Sequence, residues 1–219
     1  VAGYVYSVKD NDLFVNLYMS NNVNTSVKNG DVKLSVDTNY PWDGEVTLVL
    51  KEAPKKGFEL KLRIPGWVRN EVVPSDLYTY ADKVTPGYSV KVNGVEVHTM
   101  LNDGYFCIKR KWKAGDKVEL SMEVIPRVVK ANPLVKDNEG RIAVEKGPIV
   151  YCAEWADNPG INVREAVVDK NPSLVVKRDP NKLYGIDEII VDGSDLVLIP
   201  YYAWNHRGAG DMSVWIRIK

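Results

Sequence analysis

Short runs of alternating apolar and polar residues recur along almost the whole chain. They include YVYSV, VKLSV, FELKLRI, KVELSMEV and SVWIRI, and they are rich in Val, Ile, Tyr and Trp. Runs of about four to eight such residues, separated by Gly, Pro, Asn and Asp, are typical of β-strands. Because no amphipathic helices are interleaved, the pattern predicts an all-β protein, an antiparallel β-sandwich with two packed sandwich modules.

Dipeptides that tolerate a positive φ angle mark the turns between these runs. They are Asn29-Gly30, Asn93-Gly94, Asp103-Gly104 and Asp192-Gly193. In SVKVNGVEV, Val90 and Val92 oppose Val95 and Val97 across Asn93-Gly94, which predicts a tight hairpin with a primed turn. The segment PSDLYTYADKV, residues 74–84, has a short helical spacing, and we expect a loop or a single helical excursion there.

Prolines, Asn and charged residues interrupt the strand rhythm between residues 124 and 140. This break predicts a boundary between a first β-sandwich over residues 1–125 and a second over residues 126–219. The run GRIAVEKGPIVYC follows the break, and its return to the first sheet, with an exchange of strands between the modules, stays an open alternative.

The charge balance argues against two classes of partner. The 219-residue chain has 29 Lys and Arg against 29 Asp and Glu, a formal net charge of +0, with no long run of either sign. We therefore expect no nucleic-acid partner. No apolar run approaches the roughly 18 residues that cross a bilayer, so we expect no membrane partner. The chain begins with Val1 rather than Met, and we expect it to be cut from a longer polypeptide.

The cysteines and histidines do not have metal-ligand spacing. Cys107 and Cys152 lie in strand-like runs, where a buried free thiol is expected, and a disulfide in an oxidising compartment stays open. His98 and His206 are the only histidines, so we expect no metal and no cofactor in this chain.

The sequence singles out no catalytic residue. It contains no GxSxG, HExxH, P-loop or CxxC motif. Glycoside hydrolysis usually needs two carboxylates, but 29 acidic residues supply chance pairs at any spacing.

Tryptophans offer a different activity, because their faces stack on the apolar faces of sugars. Trp112 and Trp215 lie within strand runs, where core packing is expected. Trp42, Trp155 and Trp204 lie at strand ends or in loops, where binding residues concentrate, and they are the candidate carbohydrate-binding residues. Burial in the core or beneath a neighbouring domain is the alternative for all three.

The stretch YYAWNHRGAGDMSVWI, residues 201–216, is the richest in candidate chemistry. A His206-Arg207 pair beside Trp204 can bind a carboxylate or a sugar hydroxyl. The glycine-rich residues 208–210 instead mark a turn between two strands, in which His206 makes structural hydrogen bonds. We also consider Asn205, His206 and Arg207 as a loop that contacts another domain.

Three stretches, taken in order, resemble one known family. They are LKLRIPGWV with VKVNGVEV, then GYFCIKRKWKAGDKVELSMEVIPRVV running into RIAVEKGPIVYCAE, and finally LIPYYAWNHRGAGDMSVWI. Together they are similar to the C-terminal part of the β-L-arabinofuranosidase family, glycoside hydrolase family 127 and its relatives. The resemblance covers nearly the whole chain.

This resemblance implies a parent enzyme with an (α/α)6 barrel followed by two β-sandwich domains, acting on terminal arabinofuranose residues of plant-type glycans. It also implies a zinc, held by cysteines and a glutamate, and a cysteine nucleophile, all in a barrel outside this chain. No catalytic position of the family falls on this sequence, so Cys107 and Cys152 inherit no role. A periplasmic or extracellular location is compatible with such a parent.

Three functional hypotheses follow. In the first, the chain is a non-catalytic scaffold that supports its own N-terminal catalytic barrel and contributes a homodimer contact. In the second, it is a carbohydrate-binding module that uses exposed Trp and Tyr. In the third, it is an autonomous hydrolase, which requires a cleft with convergent ionisable groups.

Overall fold

The computed structural model describes residues 2–219. Its regular secondary structure is almost all β-strand, in mainly antiparallel sheets with sandwich-like packing, as the alternating pattern predicts. The strands up to residue 122 are β1 Tyr6–Lys9, β2 Asp12–Val15, β3 Asn21–Val27, β4 Gly30–Thr38, β5 Val46–Glu52, β6 Phe58–Arg63, β7 Tyr78–Tyr80, β8 Tyr88–Val92, β9 Val95–Glu96, β10 Tyr105–Arg110 and β11 Lys117–Met122. The later strands are β12 Pro126–Ala131, β13 Arg141–Lys146, β14 Ile149–Glu154, β15 Val167–Val168, β16 Leu174–Asp179, β17 Ile186–Val191, β18 Leu196–Pro200, β19 Met212–Ser213 and β20 Ile216–Ile218.

In the described residues, helical structure is limited to single turns. They are the α-helical turn α1 Ala2–Val5 and the 3-10 turns Gly66–Arg69, Lys136–Asn138, Trp155–Asp157 and Tyr201–Ala203. Within residues 2–219, no helix has the length and apolar character needed to span a membrane.

The chain forms two compact units that interleave along the sequence. The first unit contains the residues up to Arg69 and Thr85–Val124, and the second contains Asn70–Val84 and Ile125–Lys219. The expectation of a loop or helical excursion over residues 74–84 is wrong, because this segment contains β7, which pairs with β12 of the second unit. A strand partner some fifty residues further along the chain, rather than local spacing, decides its conformation.

The first unit contains two sheets. Their strand orders are β1-β2-β6-β10 and β3-β4-β5-β11-β8-β9, and β2 with β6 is a parallel pair. The predicted hairpin between β8 and β9 is confirmed: Asn93 and Gly94 have φ angles of 53° and 79°, as a type I′ turn requires.

The core of the first unit is formed by the apolar residues that alternate with polar ones along its strands. In β5, Val46, Leu48 and Leu50 are buried while the residues between them are partly exposed. Trp112 is buried as expected, and its Nε1 donates to the Phe58 carbonyl at 3.1 Å. Each sheet of this unit therefore turns one face towards a shared apolar interior.

The second unit has one large sheet that is buried on both faces at its centre. Its main strand order is β15-β20-β13-β14-β18-β17-β16, with β15 and β20 parallel and β12 continuing from β13 to β7. In β14, Tyr151 and Ala153 belong to one apolar cluster, whereas Cys152 between them belongs to a second with Ile199. Side chains alternate across a strand, so the two clusters lie on opposite faces.

Both cysteines are free thiols. Cys152 is buried as expected, and burial raises its pKa to about 12. Cys107 is only half-buried, and it lies in the other unit.

Candidate functional site

The residues from 201 to 211, here called the 201–211 loop, pass over the end of β14. β18 precedes the loop and pairs with one edge of β14, and β19 follows it and pairs with the other edge. Ala153 takes part in both pairings: it lies opposite Leu198 of β18 on one side and opposite Ser213 of β19 on the other. The stretch is therefore a connection between strands, as one interpretation of the sequence predicts, but these strands flank a third one instead of forming a hairpin.

The loop covers the second buried face of the sheet. Ala203 packs with Cys152 and Ile199, and Trp204 is half-buried against the same cluster. The Trp204 ring also lies 6.3 Å from the ring of Tyr201, centroid to centroid. Part of the aromatic content that makes the stretch look like a binding site is thus used for packing.

Five charged side chains form a buried ion network beneath the loop, here called the charge cluster. Its members are Glu154, Asp157, Lys182, Glu188 and Arg207. Arg207 Nη1 donates to Asp157 Oδ1 at 2.6 Å, and Arg207 Nη2 donates to both Asp157 and Glu154. Lys182 Nζ donates to Asp157 Oδ1 at 2.9 Å and also to Glu188.

The carboxylates of the cluster are shielded from solvent. The side chains of Glu154 and Asp157 are 1% and 2% exposed. Burial alone opposes ionisation of Asp157, but hydrogen bonds from Arg207 and Lys182 outweigh it and lower the pKa of this carboxyl. The hydrogen bond to Asp157 is likewise the largest of the effects that raise the pKa of Arg207. Asp157 therefore stays ionised over the neutral range.

Backbone and amide hydrogen bonds complete the attachment of the loop. The Asn205 backbone N–H donates to Glu154 Oε1 at 2.8 Å. Buried Asn158 donates through Nδ2 to the carbonyls of Glu154 and Val197, and its Oδ1 accepts from the Val197 N–H at 2.8 Å. These hydrogen bonds connect the 201–211 loop to the end of β14 and to the turn that follows β14.

The residues predicted for the contact loop have separate roles. Arg207 points its donors inward to the charge cluster, whereas Asn205 and His206 are exposed. The expectation that His206 makes structural hydrogen bonds is wrong for the described part of the chain, where Arg207 takes that role instead. Contact with another domain stays a prediction.

The three candidate tryptophans do not form one group. Trp42 is 39% exposed and lies in the first unit, while Trp155 and Trp204 lie in the second. Trp155 is 40% exposed, and its ring packs so closely on Gly210 that a Cβ built there would lie 1.9 Å from Trp155 Cδ1. Trp215, expected in the core, is only half-buried and packs against Tyr78. Sugar binding by Trp42, Trp155 and Trp204 stays a prediction.

Sequence reasoning missed four members of the charge cluster and Asn158. Glu154 and Asp157 are three residues apart at a strand end, but Arg207 is some fifty residues away from them. Nothing in the local sequence distinguishes these two acids from the other acidic residues of the chain.

The zinc implied by the resemblance does not fit the residues of this chain. Over residues 2–219, no group of three or more His, Cys, Asp and Glu side chains could hold a metal ion. Cys107 and Cys152 lie in different units.

Comparisons with known proteins assign the two halves of the chain. A family model described as the middle domain of the family 127 β-L-arabinofuranosidases matches residues 12–124, and the model of the glycoside hydrolase family 127 C-terminal domain matches residues 126–217. The non-reducing end β-L-arabinofuranosidase of Bifidobacterium longum subsp. longum is 29% identical over 99% of this chain.

Solved structures of family 127 enzymes are also similar to this chain. A family 127 β-arabinofuranosidase is 48% identical with a TM-score of 0.92, and a family 127 β-L-arabinofuranosidase from Geobacillus stearothermophilus is 32% identical with a TM-score of 0.82. Each match covers 99% of this chain but only 36% and 35% of the solved chains, and the chain spans 35% of the Bifidobacterium enzyme.

The fold and the matched models place this chain in a class of paired all-β modules that are found in glycoside hydrolases. The chain belongs to glycoside hydrolase family 127, whose middle and C-terminal domains it contains.

Proposed function

We propose that this chain is the non-catalytic β-sandwich region of a family 127 glycoside hydrolase, and that its 201–211 loop supports the catalytic part of that enzyme. The observation that carries the proposal is the internal use of Arg207. A substrate-binding arginine keeps its donors for the ligand, whereas this guanidinium donates to Glu154 and Asp157 within its own unit. The charge of Arg207 therefore attaches the loop to its own unit.

The names of the relatives supply the activity of the parent. Both the Bifidobacterium and the Geobacillus enzymes are called β-L-arabinofuranosidases. The proposal assigns the hydrolysis of arabinose-containing glycans, with the zinc and the cysteine nucleophile expected from the resemblance, to the part of those relatives that this chain does not span.

The outer side of the loop has features of a contact surface. Tyr201 and Tyr202 are 45% and 50% exposed, and they extend from the turn that the buried cluster holds in place. Tyrosine is enriched in protein interfaces, and an ordered loop loses little conformational entropy on contact. These features support docking against another domain of the same polypeptide.

A homodimer contact is the second part of the proposal. Strand β16 pairs only with β17 among the described strands, and Val175 and Val176 on it are exposed. An edge strand with exposed apolar side chains can pair with a second copy. Sedimentation of wild type and Val175→Lys tests this part, with loss of a dimer expected and identical association contradicting it.

Two measurements test the main proposal. The purified chain should release no arabinose from arabinofuranosyl oligosaccharides, and release at a catalytic rate would refute the non-catalytic assignment. In the intact enzyme, His206→Ala, which removes an exposed side chain of the loop, should lower Tm by about 2–4 °C while leaving the isolated chain unchanged.

The matched control is His98→Ala, an exposed histidine of the first unit. It should leave Tm unchanged in both forms. An equal effect of His206→Ala on the intact enzyme and the isolated chain would contradict docking through the loop.

A further inference from the structure

A second buried arginine lies outside the charge cluster. Arg127 in β12 is 3% exposed. Its Nη2 donates to Asp82 Oδ1 at 2.5 Å and to Asn70 Oδ1 at 2.7 Å, and its Nε donates to Asp82 Oδ2 at 3.2 Å. The Tyr80 ring stacks on it, with 3.4 Å from Cζ to the ring centroid. The guanidinium is therefore fixed on two sides.

The remaining nitrogen of this guanidinium is left without an acceptor. Nη1 of Arg127 is buried and has no hydrogen-bond partner among the described residues. Folded proteins rarely leave a buried charged donor unsatisfied, because the lost hydration is not replaced. Such an atom indicates an acceptor that comes from outside the described residues.

Arg127 lines a cavity that can hold a small molecule. The cavity has a volume of about 390 Å³, within the range of ligand sites. Asp82 and Asn171 supply its other polar side chains, and Pro126, Pro172 and Leu174 contribute apolar surface. All of these residues belong to the second unit.

The charges of the cavity decide which ligands it suits. Burial opposes ionisation of Asp82, but the hydrogen bonds from Arg127 and the Val84 backbone N–H, together with the charge of Arg127, outweigh it and lower the pKa of this carboxyl. The ionised pair is neutral overall, so it offers little net attraction to an anion. A single carboxylate is too few ligands for a cation such as Ca²⁺ or Mg²⁺.

With anions and cations excluded, a neutral hydroxyl group suits this cavity, because a hydroxyl both donates and accepts hydrogen bonds. The cavity is lined by Arg127, whose Nη1 is unpartnered but enclosed, by a partly exposed acceptor on Asp82, by an amide on Asn171 and by an apolar wall. Sugars combine several hydroxyls with an apolar face, and a polar edge beside apolar surface is the arrangement that such molecules need.

We propose that this cavity binds a neutral polyhydroxylated ligand, a monosaccharide or the end residue of an oligosaccharide. One hydroxyl oxygen accepts from Arg127 Nη1 after a small shift of the guanidinium towards the cavity. A second hydroxyl donates to Asp82, and the apolar face of the sugar lies against Pro172 and Leu174. The site is separate from Trp42, Trp155 and Trp204, and it does not rest on the scaffold function proposed above.

The test is a titration of the full 219-residue chain with L-arabinose, followed by ¹⁵N-resolved NMR. The Arg127 Nε–H signal and the Asn171 side-chain amide should shift in a saturable way, with a dissociation constant on the order of 1 mM. Sodium acetate, the anion probe, should shift neither signal.

Two variants localise the binding. Asn171→Trp fills the cavity from its rim and should weaken binding at least roughly tenfold, whereas Asn181→Trp, an exposed asparagine of the same unit outside the cavity, should not. Arg127→Lys keeps the charge beside Asp82 but removes Nη1, and a roughly tenfold loss is expected. If Arg127→Lys fails to fold, Asn171→Trp still gives the answer.

Three results would overturn the site. One is the absence of any saturable shift with L-arabinose. Another is acetate binding as strongly as the sugar, which would make the cavity an anion site. The third is unchanged affinity in Asn171→Trp, which would place sugar binding elsewhere on the chain. None of these depends on arabinose release or on Tm, so the scaffold proposal is tested independently.

Discussion

The two units bury their sheets in different ways. In β5 of the first unit, buried residues alternate with partly exposed ones, so one face of the sheet is packed. In β14 of the second unit, Tyr151, Cys152 and Ala153 are buried in succession, so both faces are packed. The second face is covered in part by Ala203 and Trp204 of the 201–211 loop.

This difference explains the unusual composition of the loop. A strand that covers a core is held by its ladder of backbone hydrogen bonds, whereas a loop needs other attachments. Arg207 and the carboxylates of Glu154 and Asp157 provide them. The comparison teaches that aromatic and charged residues gathered in a loop can serve burial as well as binding.

The largest effect is expected from removing the cation of the loop. Arg207→Ala leaves Asp157 with Lys182 alone and removes the cation that pairs with buried Glu154, and breaking a buried pair costs about 3–5 kcal/mol of the free energy of unfolding. Urea unfolding, with hydrogen exchange to assign the loss to the second unit, measures it. Amides of the first unit should keep their protection.

The control for Arg207 comes from the same region. Arg164 pairs with Asp211 at 3.0 Å, but both side chains are more than half exposed. Arg164→Ala should therefore cost no more than about 1 kcal/mol. Equal losses in the two variants would mean that the charge cluster adds nothing beyond a surface ion pair.

The next effect tests whether the second face is a true core. Ile199→Ala beneath the loop and Leu48→Ala in the first unit both remove a fully buried side chain. Each should cost about 3 kcal/mol in urea unfolding, through lost burial and the cavity left behind. A much smaller loss for Ile199→Ala would show that the loop relaxes onto the face and that the comparison between the units fails.

Local features of the fold were predictable from sequence, and long-range ones were not. The Asn93-Gly94 hairpin follows from two adjacent residues with positive φ. The strand β7 was missed because its partner β12 is some fifty residues away. The charge cluster was missed for the same reason, since Arg207 meets Glu154 only after the sheet has assembled.

A smaller effect is expected from a methyl group at either of two glycines. Gly210→Ala would place a Cβ 1.9 Å from the Trp155 ring, so ring or loop must move, at about 1–3 kcal/mol. Gly94→Ala in the first unit meets open space and pays only for its φ of 79°, about 1 kcal/mol.

Acrylamide quenching of Trp fluorescence separates the two glycine variants. It should increase in Gly210→Ala, because Trp155 is displaced, and stay at the wild-type value in Gly94→Ala. Increased quenching in both variants would point to general loosening instead of a specific contact between Gly210 and Trp155.

The smallest effect near neutrality is that of pH on the charge cluster. The pKa of Asp157 is lowered from its ordinary 3.8, because hydrogen bonds from Arg207 and Lys182 outweigh the opposing effect of burial. A lowered pKa contributes stability that is fully present above the unfolded-state value and is lost as pH falls through the folded-state value. Lys182, whose pKa is raised from 10.5, contributes stability that is fully present below 10.5 and is lost as pH rises through its folded-state value.

The free-energy difference between wild type and Asp157→Asn should therefore be constant from about pH 9 down to about pH 5 and shrink below about pH 4. Urea unfolding at a series of pH values measures it. A difference that already shrinks between pH 7 and pH 5 would require Asp157 to be protonated near neutrality. Burial would then outweigh the hydrogen bonds from Arg207 and Lys182, and the loop would be held by packing on the second face alone.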